Sequence, residues 1–99
     1  MAAIELVPEV AEDIERILQH LEKFFVPDPA KRIEEIIQAI SVLEQNPLIG
    51  RPVDSYKREL IIGSKSHGYI ALYTYVDDLD CVFVLAIKSQ RELNYAEKI

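Results

Sequence analysis

Apolar side chains recur along this chain in two rhythms, and each change of rhythm marks a new element. Ala2–Val7 alternates briefly, as a short strand does, and Pro8 closes it and opens a helix, since proline in a first turn gives up no needed hydrogen bond. From Glu9 to Phe25 the spacing becomes three and four: Val10, Ile14, Ile17, Leu18, Leu21, Phe24 and Phe25 predict an amphipathic helix with one core face. Glu9, Glu12 and Asp13 crowd its first turns, where acids complement the helix dipole. Val26-Pro27-Asp28-Pro29 interrupts the pattern and restarts it, with Asp28 as N-cap and Pro29 as first helical residue. The second helix is expected to run from Pro29 to about Gln45, burying Ile33, Ile36, Ile37, Ile40 and Leu43. So short a connection implies an antiparallel helical hairpin.

After Asn46-Pro47 the period drops to two. Leu48-Ile49-Gly50-Arg51-Pro52 reads as a turn in which Gly50 is expected at positive φ. Tyr56–Ile62 reads as a strand with Tyr56, Arg58, Leu60 and Ile62 on one face and Lys57, Glu59 and Ile61 on the other. Two apolar strands follow, Gly68–Val76 and Cys81–Lys88, joined by the acidic turn Asp77–Asp80. Strict alternation puts Cys81, Phe83, Leu85 and Ile87 on one face of the last strand and Val82, Val84, Ala86 and Lys88 on the other. Short connections make these three strands an antiparallel meander, and a polar tail, Ser89–Ile99, closes the chain. The order β-α-α-β-β-β defines an α+β fold, a two-helix hairpin packed on one face of an antiparallel sheet.

Composition narrows the class. Ninety-nine residues suit a single domain spanning 1–99. The longest apolar run, Val82–Ile87, is far below the ~20 residues of a membrane helix, and MAAIELVPE lacks the features of a signal peptide. A lone cysteine and two histidines complete neither a disulfide nor a Cys/His zinc site, so the expectation is a cytoplasmic protein without metal or other cofactor. The net charge of −6 is unevenly spread: residues 1–50 hold ten acids against four bases, whereas the second half is neutral. The acidic half repels nucleic acid; the neutral half has local basic clusters that can approach it.

Those clusters are the candidate chemistry. Arg51, Lys57, Arg58 and Lys65 surround the first strand of the meander, and Lys88, Gln90 and Arg91 follow the last one, with Tyr95 beyond. In a meander, the end of the last strand approaches Gly68–Ile70. Cations gathered there suit phosphates, a developing phosphorane charge or an acidic partner, and equally suit ordinary surface pairing with Glu59, Glu92 and Asp77–Asp80. Ser64, Ser66 and His67 share a turn with no scaffold to orient a triad with the nearby Asp54. His20 reads as a surface imidazole, and Cys81 as a small buried hydrophobe.

Asn46-Pro47-Leu48-Ile49-Gly50-Arg51-Pro52, Arg58-Glu59-Leu60, Gly68-Tyr69-Ile70-Ala71-Leu72-Tyr73 and Leu85-Ala86-Ile87-Lys88-Ser89-Gln90-Arg91-Glu92, in that order, resemble the RelE/ParE toxin superfamily, the toxin halves of type II toxin–antitoxin modules, often called plasmid stabilisation proteins. The resemblance covers nearly the whole chain. It implies a small cytoplasmic protein that arrests growth when free and is neutralised by a cognate antitoxin, usually encoded beside it. RelE-like members cut messenger RNA on the ribosome with basic and tyrosine side chains and no metal; ParE-like members act on DNA gyrase.

The RelE-like ribonucleases carry an arginine directly after the Gly-Tyr of the middle strand, where this chain has Ile70. An apolar side chain cannot stabilise phosphate charge, and a charge of −6 suits an RNA-lined site poorly. The resemblance therefore points to the ParE-like branch, although Lys88 and Ser89 replace the first two residues of that branch's closing arginine-histidine-glutamine-arginine-glutamate motif. The target-binding set is expected to be Arg51, Lys57, Arg58, Lys65, Lys88, Gln90 and Arg91. Were the chain instead a metal-free endoribonuclease, its catalytic candidates are Arg58, Arg91 and Tyr95. A third reading is a non-toxic relic that keeps only the antitoxin-binding surface.

Overall fold

The computed structural model describes residues 1–63 and 68–90. Strand β1 (Ala3–Leu6) leads into helix α1 (Pro8–Lys23), and α2 (Pro29–Ile40) returns beside it. A short 3-10 turn, Ser41–Glu44, continues α2 toward a two-residue strand, β2 (Arg51–Pro52). The meander follows as β3 (Arg58–Ile62), β4 (Tyr69–Val76) and β5 (Cys81–Ser89). The sheet runs β1-β5-β4-β3-β2, and both helices pack on one face. That is the expected α+β architecture with one addition: β1 pairs parallel with β5, so the sheet is mixed. Alternation reports which face of a strand is buried and is blind to the direction of its neighbour, so the pattern could not reveal this pairing.

The helix caps follow from local chemistry. Asp28 takes a left-handed conformation at φ 48° and its carboxylate accepts from the Lys31 N–H at 3.2 Å. Helix α1 closes with Val26 N–H donating to Leu21 O and Phe25 N–H to Glu22 O, the paired bonds of a Schellman ending. The left-handed residue of that ending is Phe25, at φ 55°, where glycine is usual. Its ring is 90% exposed and that of Phe24 60%, so neither belongs to the core face predicted for α1. The buried stripe is instead Val10, Asp13, Ile17 and Leu21, with an acid in it.

Between the layers lie those α1 residues with Ile36, Ile40 and Leu43, packed against Ile62, Tyr69, Ala71, Tyr73, Val82, Val84 and Ile87 of the sheet. Ile37, predicted inside, is exposed. Strand β5 departs from strict alternation. Leu72 pairs with Ala86 but Tyr73 pairs with Val84, so Leu85 is an extra residue, a β-bulge. The bulge inverts the parity, which moves Ile87 from the face of Cys81 and Phe83 to the helix face beside Val82 and Val84.

The bulge also turns the backbone of Ile87 toward the edge that β1 has vacated. Strand β1 ends at Leu6, and its last link to β5 is Val7 N–H to Val84 O at 3.1 Å. Beyond it, Asp13 Oδ2 accepts from Ile87 N–H at 3.0 Å while Arg16 Nη2 donates to Ile87 O at 3.3 Å. Asp13 and Arg16 are themselves bridged at 2.8 Å. Two side chains of α1 thus do the work of one more strand residue, leaving the buried N–H of Ile87 paired.

Candidate functional site

The candidate residues that the structure gathers lie where the segments on either side of β2 meet β4. Gly50 sits against the Tyr73 ring: a Cβ there would come within 2.7 Å of Tyr73 Cε1, Tyr73 Oη and Glu59 O. Positive φ, expected at Gly50, is not its reason for being glycine; of the described glycines it is Gly63 that has positive φ, at 77°. Close approach is the reason, and it allows the Gly50 N–H to donate to the buried Tyr73 hydroxyl at 2.8 Å. Burial raises the Tyr73 pKa, with the Gly50 N–H and the Arg58 charge opposing, so the phenol stays neutral. The Gly50 carbonyl, facing the other way, accepts from Arg58 Nη1 at 2.8 Å, and Leu48 O accepts from the same nitrogen at 3.1 Å.

Arg58 forms one wall of a pocket of about 200 Å³ whose other walls include Leu48, Pro52, Tyr56, Lys57 and Tyr75, with Asp54 and Ser55 at its lip. The Asp54–Lys57 turn shapes the lip. Asp54 Oδ1 accepts from the N–H groups of Tyr56 at 3.0 Å and Lys57 at 2.8 Å, and these bonds hold its carboxyl below the ordinary value. Thr74 Oγ1 donates to Tyr56 O at 2.7 Å, fixing that turn to β4. The Lys57 ammonium lies 3.8 Å from Asp54 and 5.8 Å from the centre of the Tyr56 ring. Tyr75 donates to Asp80 at 2.7 Å, a bond that pushes its own pKa up, helped by burial and by the charges of Asp80 and Asp77.

The remaining candidates are distributed differently. Arg51 pairs with Glu59 at 2.8 Å across β2 and β3, on the sheet face away from the helices. Lys88 is exposed and opposes Ile70 across the β4–β5 ladder, on that same face and two strands from β3. The last strand does approach Gly68, as predicted: Gln90 N–H donates to Gly68 O at 3.1 Å, and a Cβ on Gly68 would meet Gln90 Nε2 at 2.8 Å. So Lys57 and Arg58 share one pocket, Arg51 is ion-paired, and Lys88 with Gln90 forms a separate place. Lys65, Arg91 and Tyr95, like Ser64, Ser66, His67 and Glu92, lie outside the described residues.

Ile70 is buried at 8% exposure, between Ile61 and Lys88. Sequence reasoning passed over Tyr73, Tyr75 and Asp13. For Asp13 the signal was present, since it sits three residues after Val10 and four before Ile17 on the apolar stripe. For Tyr73 it was not, because a tyrosine on an alternating strand gives no sign that its hydroxyl has a backbone partner. Among the described residues no cluster of three or more His, Cys, Asp or Glu could hold a metal ion, and no helix is long and apolar enough to cross a membrane.

This fold, two antiparallel helices on a five-stranded mixed sheet, recurs in solved toxin–antitoxin structures. Chromosomal ParDE from P. aeruginosa matches with a TM-score of 0.74 at 19% identity, over 90% of this chain and 96% of that one. The intact E. coli RelBE toxin–antitoxin complex matches at 0.64 and 12% identity over 90% and 96%, and isolated E. coli RelE at 0.64 and 10% over 99% and 98%. No curated protein matches the chain in sequence. The model of the ParE toxin of type II parDE toxin–antitoxin systems matches residues 4–94, and the chain belongs to that family.

Proposed function

We propose that this chain is a ParE-type toxin that inhibits growth through DNA gyrase in the cytoplasm and is neutralised by an antitoxin encoded beside it. The observation that carries the reading is the match of the ParE toxin family over residues 4–94. One structural feature supports it against the ribonuclease alternative. Ile70 occupies the position at which the RelE-like enzymes carry an arginine, and it is buried in the sheet with no charge to offer a scissile phosphate. Arg58, the first arginine available to a rearranged ribonuclease site, already donates to two backbone carbonyls. The surface assigned to the target is made by Lys57 and Arg58 on one side of the sheet and Lys88 with Gln90 on the other, with Arg91 kept as a candidate on sequence alone.

Producing the chain without a partner tests this directly. Expected are growth arrest with DNA-damage signalling, loss of supercoiling when the purified protein is added to gyrase, and intact transcripts. Normal growth at verified soluble expression would sink the toxin reading and favour the relic. Ribosome-dependent cleavage of messenger RNA, abolished by Arg91→Ala, would move the chain to the RelE-like branch.

A further inference from the structure

The Arg58 pocket has a property that its structural bonds do not account for. Both of those bonds run from one nitrogen, Nη1, to neutral carbonyls, so Arg58 keeps its whole positive charge. No ion pair to it exists among the described residues, whereas Arg16 has Asp13 and Arg51 has Glu59. The one carboxylate at the lip, Asp54, is already engaged by two N–H groups and by the Lys57 ammonium. With Lys57 and Arg58 against Asp54 alone, the pocket carries one uncompensated positive charge.

Its size and rim say what brings the missing anion. About 200 Å³ is below the ~300–1,000 Å³ of pockets that enclose a whole small molecule, and suits a single side chain. The lining residues Leu48 and Tyr56 are 58% and 69% exposed, and Ile49 and Val53, each next in sequence to a lining residue, are 57% and 51% exposed. Apolar side chains ringing a half-buried cation are the anatomy of a protein contact, in which the ring excludes water from a central charged pair. A bare phosphate or a nucleic-acid backbone gains nothing from such a rim. An exposed apolar collar is also a liability for a free soluble protein, so it suits a partner that stays bound more than a transient one.

We propose that the Arg58 pocket receives a carboxylate side chain of the antitoxin, seated on the guanidinium with flanking apolar residues against Leu48 and Tyr56, so that the antitoxin covers a cation assigned above to the target. This rests on the reading that an antitoxin is encoded beside the chain.

The test uses the intact chain and the product of the adjacent antitoxin gene. Lys57→Glu inverts the net charge of the pocket, and Tyr56→Ala removes part of the rim; Tyr56 is exposed, Lys57 half-exposed, and the turn is held by Asp54 and Thr74 bonding the backbone atoms of both residues, so the fold should persist, which circular dichroism verifies. Arg58→Lys keeps the charge and loses the fork. Antitoxin affinity is expected to fall roughly tenfold or more for Lys57→Glu and for Arg58→Lys, and by less for Tyr56→Ala, with Arg32→Ala on α2 unchanged. Wild-type affinity in Lys57→Glu overturns the proposal. In parallel, the free labelled chain is titrated with N-acetylglutamate and with inorganic phosphate while the amides of Gly50, Tyr56 and Lys57 are followed by NMR. A response to the carboxylate supports the site; a response to phosphate alone reassigns it to nucleic acid, and no response to either overturns it. Absence of any complex with the wild-type chain removes the antitoxin as occupant, and the carboxylate titration still decides whether the pocket binds that group.

Discussion

Two places in this molecule use side chains to satisfy backbone groups that the sheet leaves open, and they treat charge in opposite ways. At the outer edge of β5, Asp13 and Arg16 clamp the N–H and C=O of Ile87, and the two charges cancel each other at 2.8 Å. At the loop before β2, a neutral phenol accepts from the Gly50 N–H and a guanidinium donates to the Gly50 and Leu48 carbonyls, with no ion pair to cancel its charge among the described residues. The first arrangement is complete, because every strong electrostatic demand it creates it also meets. The second does the same structural work yet leaves a cation facing a pocket. Buried or half-buried charge is costly unless paired, so a closed pair reads as architecture and an open one as a place where something else arrives.

The largest expected effect comes from forcing the second junction apart. Gly50→Ala places a methyl group 2.7 Å from Glu59 O and from the Tyr73 ring, and two of those contacts are with a buried side chain that has no room to retreat. A loss of about 3 kcal/mol or more is expected in urea unfolding, at the upper end for overpacking. Tyr73→Phe is the milder cut: it leaves the Gly50 N–H without its acceptor and should cost roughly 1–3 kcal/mol. If both variants unfold like the wild type, the loop is not pinned by this junction and the shape of the pocket has another cause.

At the first junction, Asp13→Ala strands the buried Ile87 N–H and is expected to cost roughly 1–3 kcal/mol, while Asp13→Asn keeps an acceptor and loses less. The pH dependence separates the two variants further. Burial pushes the Asp13 carboxyl up, but the Arg16 hydrogen bond, the Ile87 N–H and the charges of Arg16 and Lys88 outweigh it and leave the folded-state pKa below the ordinary 3.8. The native state therefore binds this proton less readily than the unfolded chain does. The contribution is complete above about pH 4 and is lost as pH falls through the lower folded value. The wild type should thus lose stability on acidification through that window more steeply than Asp13→Asn. Parallel acid-unfolding curves would show that the clamp does not depend on the ionised pair.

Both junctions show where the sequence could and could not be read. Helix positions, the Asp28 cap and the antiparallel meander follow from local spacing, because each depends on contacts within a turn or a hairpin. The β5 bulge was hidden because Leu85 continues an apolar run without interruption, and only the pairing with β4 shows it to be extra. Without the bulge, alternation puts Ile87 on the wrong face and leaves Asp13 only the role of an acid complementing the helix dipole. The candidate cations had the same limit. Lys57 and Arg58 are neighbours in sequence and in the pocket, but whether a cation is already paired, as Arg51 is with Glu59, is a fact about partners that no spacing contains.

The smallest effect is expected at a third backbone ending, one that involves no side-chain partner. The Schellman bonds after α1 run between backbone atoms alone, from Val26 and Phe25 to Leu21 and Glu22. Their left-handed residue is a phenylalanine at φ 55° whose ring is almost fully exposed, so the side chain adds strain and little burial. Phe25→Gly relieves roughly 1–2 kcal/mol of left-handed strain and gives back about 0.4–1 kcal/mol through the freer unfolded chain. The net gain expected is about 0.5–1 kcal/mol, a rise of several degrees in Tm for a domain of this size. A fall in Tm would mean that the ring contributes packing its exposure does not suggest. A rise, set beside the losses at Gly50 and Asp13, would separate an ending that the backbone completes unaided from two junctions that fail without their side chains.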